Sequence, residues 1–230
     1  MKAILFGASG GLATALADSL LTRAWQVDLV SRAHKSGAIQ QRFSAAIKDG
    51  NVNVFTVQQA YPEFEPKQSY DVCFFTQALF SPRPFVSMDD AAIEAEISVG
   101  LTGQIALTRK LLAMHPPKPE ARRDFCYVGS TSAYVGFKNS AVYCAVKHGL
   151  LGFVRAMNDE YAQTDTRFWL FSMGTMNTEM GATLVDQAPS SFLQPEDVAQ
   201  RMIASVTSPS NLFEPEVLMR RRTIRFREKK

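Results

Sequence analysis

The chain is poor in the residues that build metal sites and covalent frameworks, and it has no long apolar run. Its three cysteines, Cys73, Cys126 and Cys144, are widely spaced with no CxxC pair, and its three histidines, His34, His115 and His148, stand apart. Zinc sites and disulfide frameworks are not written this way. An odd number of isolated thiols points instead to reduced cysteines in the cytoplasm. No stretch approaches the roughly 20 apolar residues of a membrane-spanning helix, so an integral membrane protein is not expected. The opening Met1-Lys2-Ala3-Ile4-Leu5-Phe6-Gly7 has too short an apolar stretch for a secretory signal and no small-residue cleavage site. A broad basic face for nucleic acid is missing as well. Net charge is +3, but residues 220–230 hold seven basic side chains and one acid, Glu228, so the rest of the chain carries −3.

What the chain does have is 230 residues, 46% of them hydrophobic and 20% charged. That is too apolar for disorder, long enough to bury a core, and of a length for one domain. Short apolar runs alternate with amphipathic ones, the pattern of an α/β domain. Strands are expected at Lys2–Phe6, Gln26–Ser31, Val52–Val57, Val72–Thr76, Phe125–Val128 and Phe168–Phe171. Helices are expected over Gly11–Arg23, Ser36–Ile47, Ala141–Tyr161 and Gln194–Val206. A long helix runs from a Ser87 cap to Met114 and is ended by Pro116, Pro117 and Pro119. With no linker in sight, residues 1–230 read as a single domain. Its basic end, 217–230, alternates apolar and charged residues like an edge strand.

Between the first strand and first helix lies Gly7-Ala8-Ser9-Gly10-Gly11-Leu12-Ala13. Small residues let the backbone turn sharply and approach a pyrophosphate, which free N–H groups and the helix dipole then favour. A tight structural turn uses glycines in the same way, but the place at the head of a βαβ unit favours a dinucleotide. The second strand ends Ser31-Arg32, where an acid would accept the ribose hydroxyl of NAD. Arg32 and Ser31, with Lys35 nearby, suit the 2′-phosphate of NADP(H) instead; a solvated loop cation is the plainer alternative.

Further along come Ser130, at a strand end, and Tyr143-Cys144-Ala145-Val146-Lys147 on a helix. Tyr143 and Lys147, four apart, share a helix face. An ammonium beside a phenol stabilises the phenolate and lowers a pKa that is otherwise about 10. Tyr143 then exchanges a proton with a carbonyl or alcohol oxygen, which Ser130 orients.

These residues together resemble the short-chain dehydrogenase/reductase family. The matching elements are the G-x-x-x-G-x-A turn, Ser130 thirteen residues before Tyr143, and Tyr143-x-x-x-Lys147. Met173-Gly174-Thr175-Met176-Asn177-Thr178 is similar to the family's P-G-x-x-x-T element, and Gln194–Ala199 to its late-helix start. The resemblance covers about residues 1–207. It implies a doubly wound, Rossmann-type parallel sheet of about seven strands with helices on both faces. It also implies hydride transfer between a nicotinamide and a small carbonyl or alcohol substrate; the preference for NADP(H) over NAD(H) is read from Arg32 and Ser31. In that scheme Tyr143 is the general acid/base. Lys147 lowers its pKa and holds the nicotinamide ribose, and Ser130 polarises the substrate oxygen. The resemblance places cofactor against Gly7, Ser9, Gly10, Gly11, Leu12, Ser31, Arg32, Thr76, Ala78, Gly174, Met176 and Thr178, and implies a homodimer or homotetramer.

The departures are specific. Gly100 stands where the family has a fourth catalytic residue, an asparagine that holds a water in a relay to the lysine. The N-N-A-G element reads Phe75-Thr76-Gln77-Ala78, Phe6 replaces a threonine, and Gln58 or Gln59 replaces an acid near adenine. These losses leave open a dinucleotide-sensing protein with a vestigial site. Met173, Met176, Met180 and Phe192 fall where the family places its substrate lid. They read equally as pocket wall or core. Tyr134 and Phe137 line the substrate entrance or pack their own loop. No metal site is expected.

Overall fold

The computed structural model describes residues 1–114, 122–209 and 212–226. Seven strands form one sheet: β1 (Lys2–Phe6), β2 (Gln26–Arg32), β3 (Val52–Val57), β4 (Val72–Phe75), β5 (Arg123–Val128), β6 (Thr166–Met173) and β7 (Glu216–Met219). Their order is β3-β2-β1-β4-β5-β6-β7 and every pairing is parallel. Parallel strands require crossovers, and here these are α1 (Gly11–Leu21), α2 (Ser36–Arg42), α3 (Ser44–Lys48), α4 (Asp90–Ile97), α5 (Gly103–Met114), α6 (Ala141–Glu160) and α7 (Pro195–Thr207).

Alternation along the strands sorts the core into two layers. Ala3, Leu5, Leu29, Phe74, Cys126 and Phe171 face α1 and α7, while Ile4, Phe6, Phe75, Phe125, Tyr127 and Phe168 face α5 and α6. On the second face aromatic rings stack across the sheet, with centroids 5.2 Å apart for Phe6 and Phe75 and 4.6 Å for Phe75 and Tyr127. The strand order reverses between β1 and β4, and the crevice above that point is where α/β sheets bind ligands.

Four expectations are corrected. The long helix starts at Asp90, not after Ser87, because the Asp89 carboxylate caps it by accepting the Ala92 N–H at 2.7 Å. It is also interrupted by a π-helical turn, Ser98–Thr102, between α4 and α5. The helix expected over Ser36–Ile47 is two short helices joined at the buried Phe43. The last strand stops at Met219, and the basic stretch leaves the sheet: Phe226 bridges antiparallel to Gln187, and Ala188 N–H donates to Arg225 O at 2.8 Å. His115 and the prolines expected to end the long helix lie outside the described residues, as do residues 227–230 of the tail.

Candidate active site

β1 delivers the chain into Gly7, whose φ of +86° only glycine adopts without strain. A Cβ there would also stand 2.7 Å from the Gln77 backbone nitrogen. Gly7 and Ala8 both donate to Val30 O at 3.1 Å, tying the turn to β2. Gly10 caps α1 without a side-chain acceptor, and the first turn holds no acid. The N–H groups of Gly11 and Leu12 therefore belong to an uncapped helix start beside the exposed Ser9, an arrangement that suits phosphate. A Cβ on Gly11 would come 3.0 Å from Thr178 Cγ2, so the loop after β6 closes onto this same turn.

At the end of β2, Arg32 is half-buried and makes no ion pair among the described residues. Burial raises the nearby Tyr61 phenol, and the Arg32 charge pulls it partly back. Ser31 is fully buried, with its hydroxyl on Arg32 O at 3.3 Å, so Arg32 is the more open of the two. Lys35 is exposed. Across the crevice, Thr76 Oγ1 donates to Phe6 O at 2.7 Å, and Ala78 follows two residues later. Both side-chain atoms of Gln77 are buried without a partner. An uncapped helix start, a glycine cradle, an unpaired arginine and an orphaned amide all fit an anionic dinucleotide.

Ser130 follows β5, and its Oγ accepts the Ser132 N–H at 3.1 Å. It also lies within hydrogen-bonding reach of the Tyr143 hydroxyl. Tyr143 and Lys147 stand one turn apart on α6 as their spacing requires. Their electrostatics correct the sequence reading. Lys147 is 1% exposed, and its Nζ donates to Val128 O at 2.7 Å rather than to the phenol. Burial alone brings its pKa down to about 8. The ammonium is 5.4 Å from the Tyr143 ring centroid. Burial pushes Tyr143 up to about 12; contact with Ser130 pulls it back, and the neighbouring Cys144 and then the Glu96 charge add to the rise. In the free protein the phenol keeps its proton, because loss of water outweighs any help from Lys147.

Gly174 sits at the end of β6, its N–H on Met219 O at 2.9 Å. Met176 bridges Leu193, and Leu193 N–H returns to Thr175 O at 3.0 Å, pinching the base of the loop between them. Thr178 Oγ1 accepts the Gly181 N–H at 3.2 Å. Met173 and Phe192 are buried, Met173 within the core; Met180 is half-buried. Tyr134 donates to Glu216 Oε2 at 3.1 Å, and Phe137 is exposed. Gly100 lies inside the π-helical turn, where a Cβ would come 2.6 Å from Val146 Cγ1. The room for the family's asparagine is thus filled by Val146.

Two neighbours were not read from the sequence. Phe80 lays its ring 4.7 Å from that of Tyr143, and Glu96, 4% exposed, accepts the Ser81 N–H at 2.9 Å. Glu96, Gly100, Gln104 and Thr108 recur every four residues along one buried face, which polar residues in a helix do not reveal in the sequence alone. Among the described residues no group of three metal-ligating side chains gathers, and no helix is long and apolar enough to cross a membrane.

Residues 1–189 match the family described as short chain dehydrogenase. The 3-oxoacyl-(acyl-carrier-protein) reductase MabA of Mycobacterium avium is 26% identical over 194 residues, spanning 83% of this chain and 73% of its own. An uncharacterized oxidoreductase of Staphylococcus saprophyticus is 23% identical over 227 residues, 95% of this chain and 96% of its own. Among solved structures, a metagenomic short-chain oxidoreductase in complex with NADP superposes with a TM-score of 0.77 at 22% identity, covering 97% of this chain and 98% of its own. The closed form of serine dehydrogenase complexed with NADP+ gives 0.78 at 17% identity, covering 95% and 94%.

Proposed function

The chain belongs to the short-chain dehydrogenase family, whose members are oxidoreductases that bind a nicotinamide dinucleotide, and from that premise we propose an NADP(H)-dependent reductase of small carbonyl compounds. The observation that carries this reading is the meeting of Ser130, Tyr143 and Lys147 at the strand ends that also bear the Gly7 turn. When bound, the cofactor supplies or accepts the hydride. The turn at Gly7, Ser9, Gly10, Gly11 and Leu12 would hold its pyrophosphate, and Arg32 its 2′-phosphate. Ser31 would join only if its hydroxyl left the Arg32 carbonyl. Thr76 and Ala78 would flank the ribose side, and Gly174, Met176, Thr178 and Lys147 the nicotinamide end.

Within this frame Ser130 orients the carbonyl oxygen and Tyr143 gives it the phenolic proton. Without cofactor or substrate, burial holds the Tyr143 phenol in its protonated form, the form that gives up a proton to a carbonyl oxygen. The three cysteines are free and buried, which agrees with a cytoplasmic enzyme. Ile97 and Ile105, exposed along α4 and α5, offer a surface for a homodimer or homotetramer.

Replacing Tyr143 with Phe should cut carbonyl reduction by at least about 100-fold while NADPH still binds. Turnover by Tyr143→Phe equal to wild type, across a panel of ketones, aldehydes and diketones, would sink the role given to Tyr143. A second reading, a dinucleotide sensor without turnover, draws on the Val146 side chain that fills the space beside Gly100. It is favoured if wild type binds NADPH tightly and oxidises none with that panel.

A further inference from the structure

One buried carboxylate beside the site has no part in the chemistry above. Glu96 lies in the last turn of α4 and is 4% exposed. Its Oε1 accepts the Ser81 N–H at 2.9 Å. Ser81 directly follows Phe80, whose ring stands 4.7 Å from that of Tyr143, tilted by 60°. Two residues on, the Arg83 N–H donates to Asn139 O at 2.9 Å, fixing the same segment to the approach to α6. Glu96 is one helical turn before Gly100, where Val146 leaves no room for a side chain.

Burying a carboxylate is costly unless donors and a countercharge meet it. The groups facing Glu96 are Ser81 and Arg83 from the loop after β4 and Tyr143 from α6. Burial raises its pKa, while Ser81 and the Arg83 charge pull it back.

We propose that Glu96 is a positioning residue of the Tyr143 site: through Ser81 it holds the segment that lays Phe80 against the Tyr143 ring, and it sets a negative charge beside the phenol. Burial is the main cause that keeps the Tyr143 phenol protonated, and the Glu96 charge adds to it. The consequence for catalysis rests on the acid role proposed for Tyr143; the placement does not.

Nitration by tetranitromethane tests this without cofactor or substrate, because the reagent attacks the phenolate. The apo protein is treated at about pH 8, and each tyrosine is followed by peptide mass spectrometry. Glu96→Gln still accepts the Ser81 N–H but carries no charge, so Tyr143 should nitrate faster by on the order of threefold to tenfold. Glu96→Leu should raise the rate further by also releasing Phe80. Tyr134, held by Glu216, is the internal reference and should not change. An unchanged Tyr143 rate in Glu96→Gln overturns the proposal. So does a rise that Tyr134 shares, since that marks general loosening. If Glu96→Leu does not fold, the Gln variant alone decides. Turnover plays no part in this readout. A protein that nitrates as expected yet reduces no carbonyl would refute the proposed function and leave the placement of Glu96 standing.

Discussion

Lys147 carries a charge that the fold has deprived of water. Its pKa falls from 10.5 to about 8, so between those values the unfolded chain binds a proton that the folded one does not. Stability therefore rises with pH across that window, as linkage requires. Lys147→Met has no such proton. Wild type should gain on this variant by about 2 kcal/mol between roughly pH 7.5 and pH 9.5, as read from urea unfolding at the two pH values. A constant difference between the two proteins would show that Lys147 is not titrating in this range. The sequence made the Tyr143 and Lys147 pair legible, because four residues on a helix is a local distance. It did not reveal the sign of the Tyr143 shift, because burial depends on residues brought from β4, α4 and α6. Glu96 was hidden for the same reason: an acid in a helix reads as solvated until the loop of Ser81 is seen to cover it.

Between α4 and α5 the helix opens into the π turn that contains Gly100, and α6 presents Val146 to it. The two positions should be coupled. Gly100→Asn alone overpacks the contact and should cost on the order of 1–3 kcal/mol. Val146→Ala alone leaves a void costing about 1–2 kcal/mol. The double variant should lose less than the sum, a coupling that chemical denaturation of all four proteins would measure; strict additivity would show that the positions do not meet. The strands were readable from their apolar runs, and their centres agree with the expected positions to within a few residues. The interruption at Ser98–Thr102 was not readable. A glycine in a helical pattern fits an α turn as well as a π turn, and only contact with α6 decides. Helix starts were misplaced where two caps competed: Ser87 lies in a 3₁₀ turn, while Asp89 has the geometry to accept Ala92 N–H.

At the scale of the whole molecule, parallel topology brings the ends of β1, β2, β4, β5 and β6 to one edge, and each contributes a residue to the proposed site. The segment after β7 returns to the same edge. Arg221 donates to Gln187 Oε1 at 2.7 Å and lies 5.7 Å from the centre of the Phe192 ring, while Phe226 bridges Gln187. Removing the chain after Met219 should free the loop at 177–192, so that chymotrypsin cuts it faster by roughly tenfold. An unchanged cleavage rate would mean that the tail does not hold the loop. This arrangement was not legible in the sequence, where alternating basic and apolar residues match an edge strand as well as a strap.

We propose that this edge holds NADP(H) through Arg32. The most direct test is to titrate the purified protein with NADPH and with NADH, following the fluorescence of the reduced nicotinamide. NADPH should bind at least about tenfold more tightly than NADH, and Arg32→Ala should erase the difference. Equal or stronger binding of NADH would overturn the role given to Arg32, and binding of neither would mean that this edge holds no nicotinamide dinucleotide.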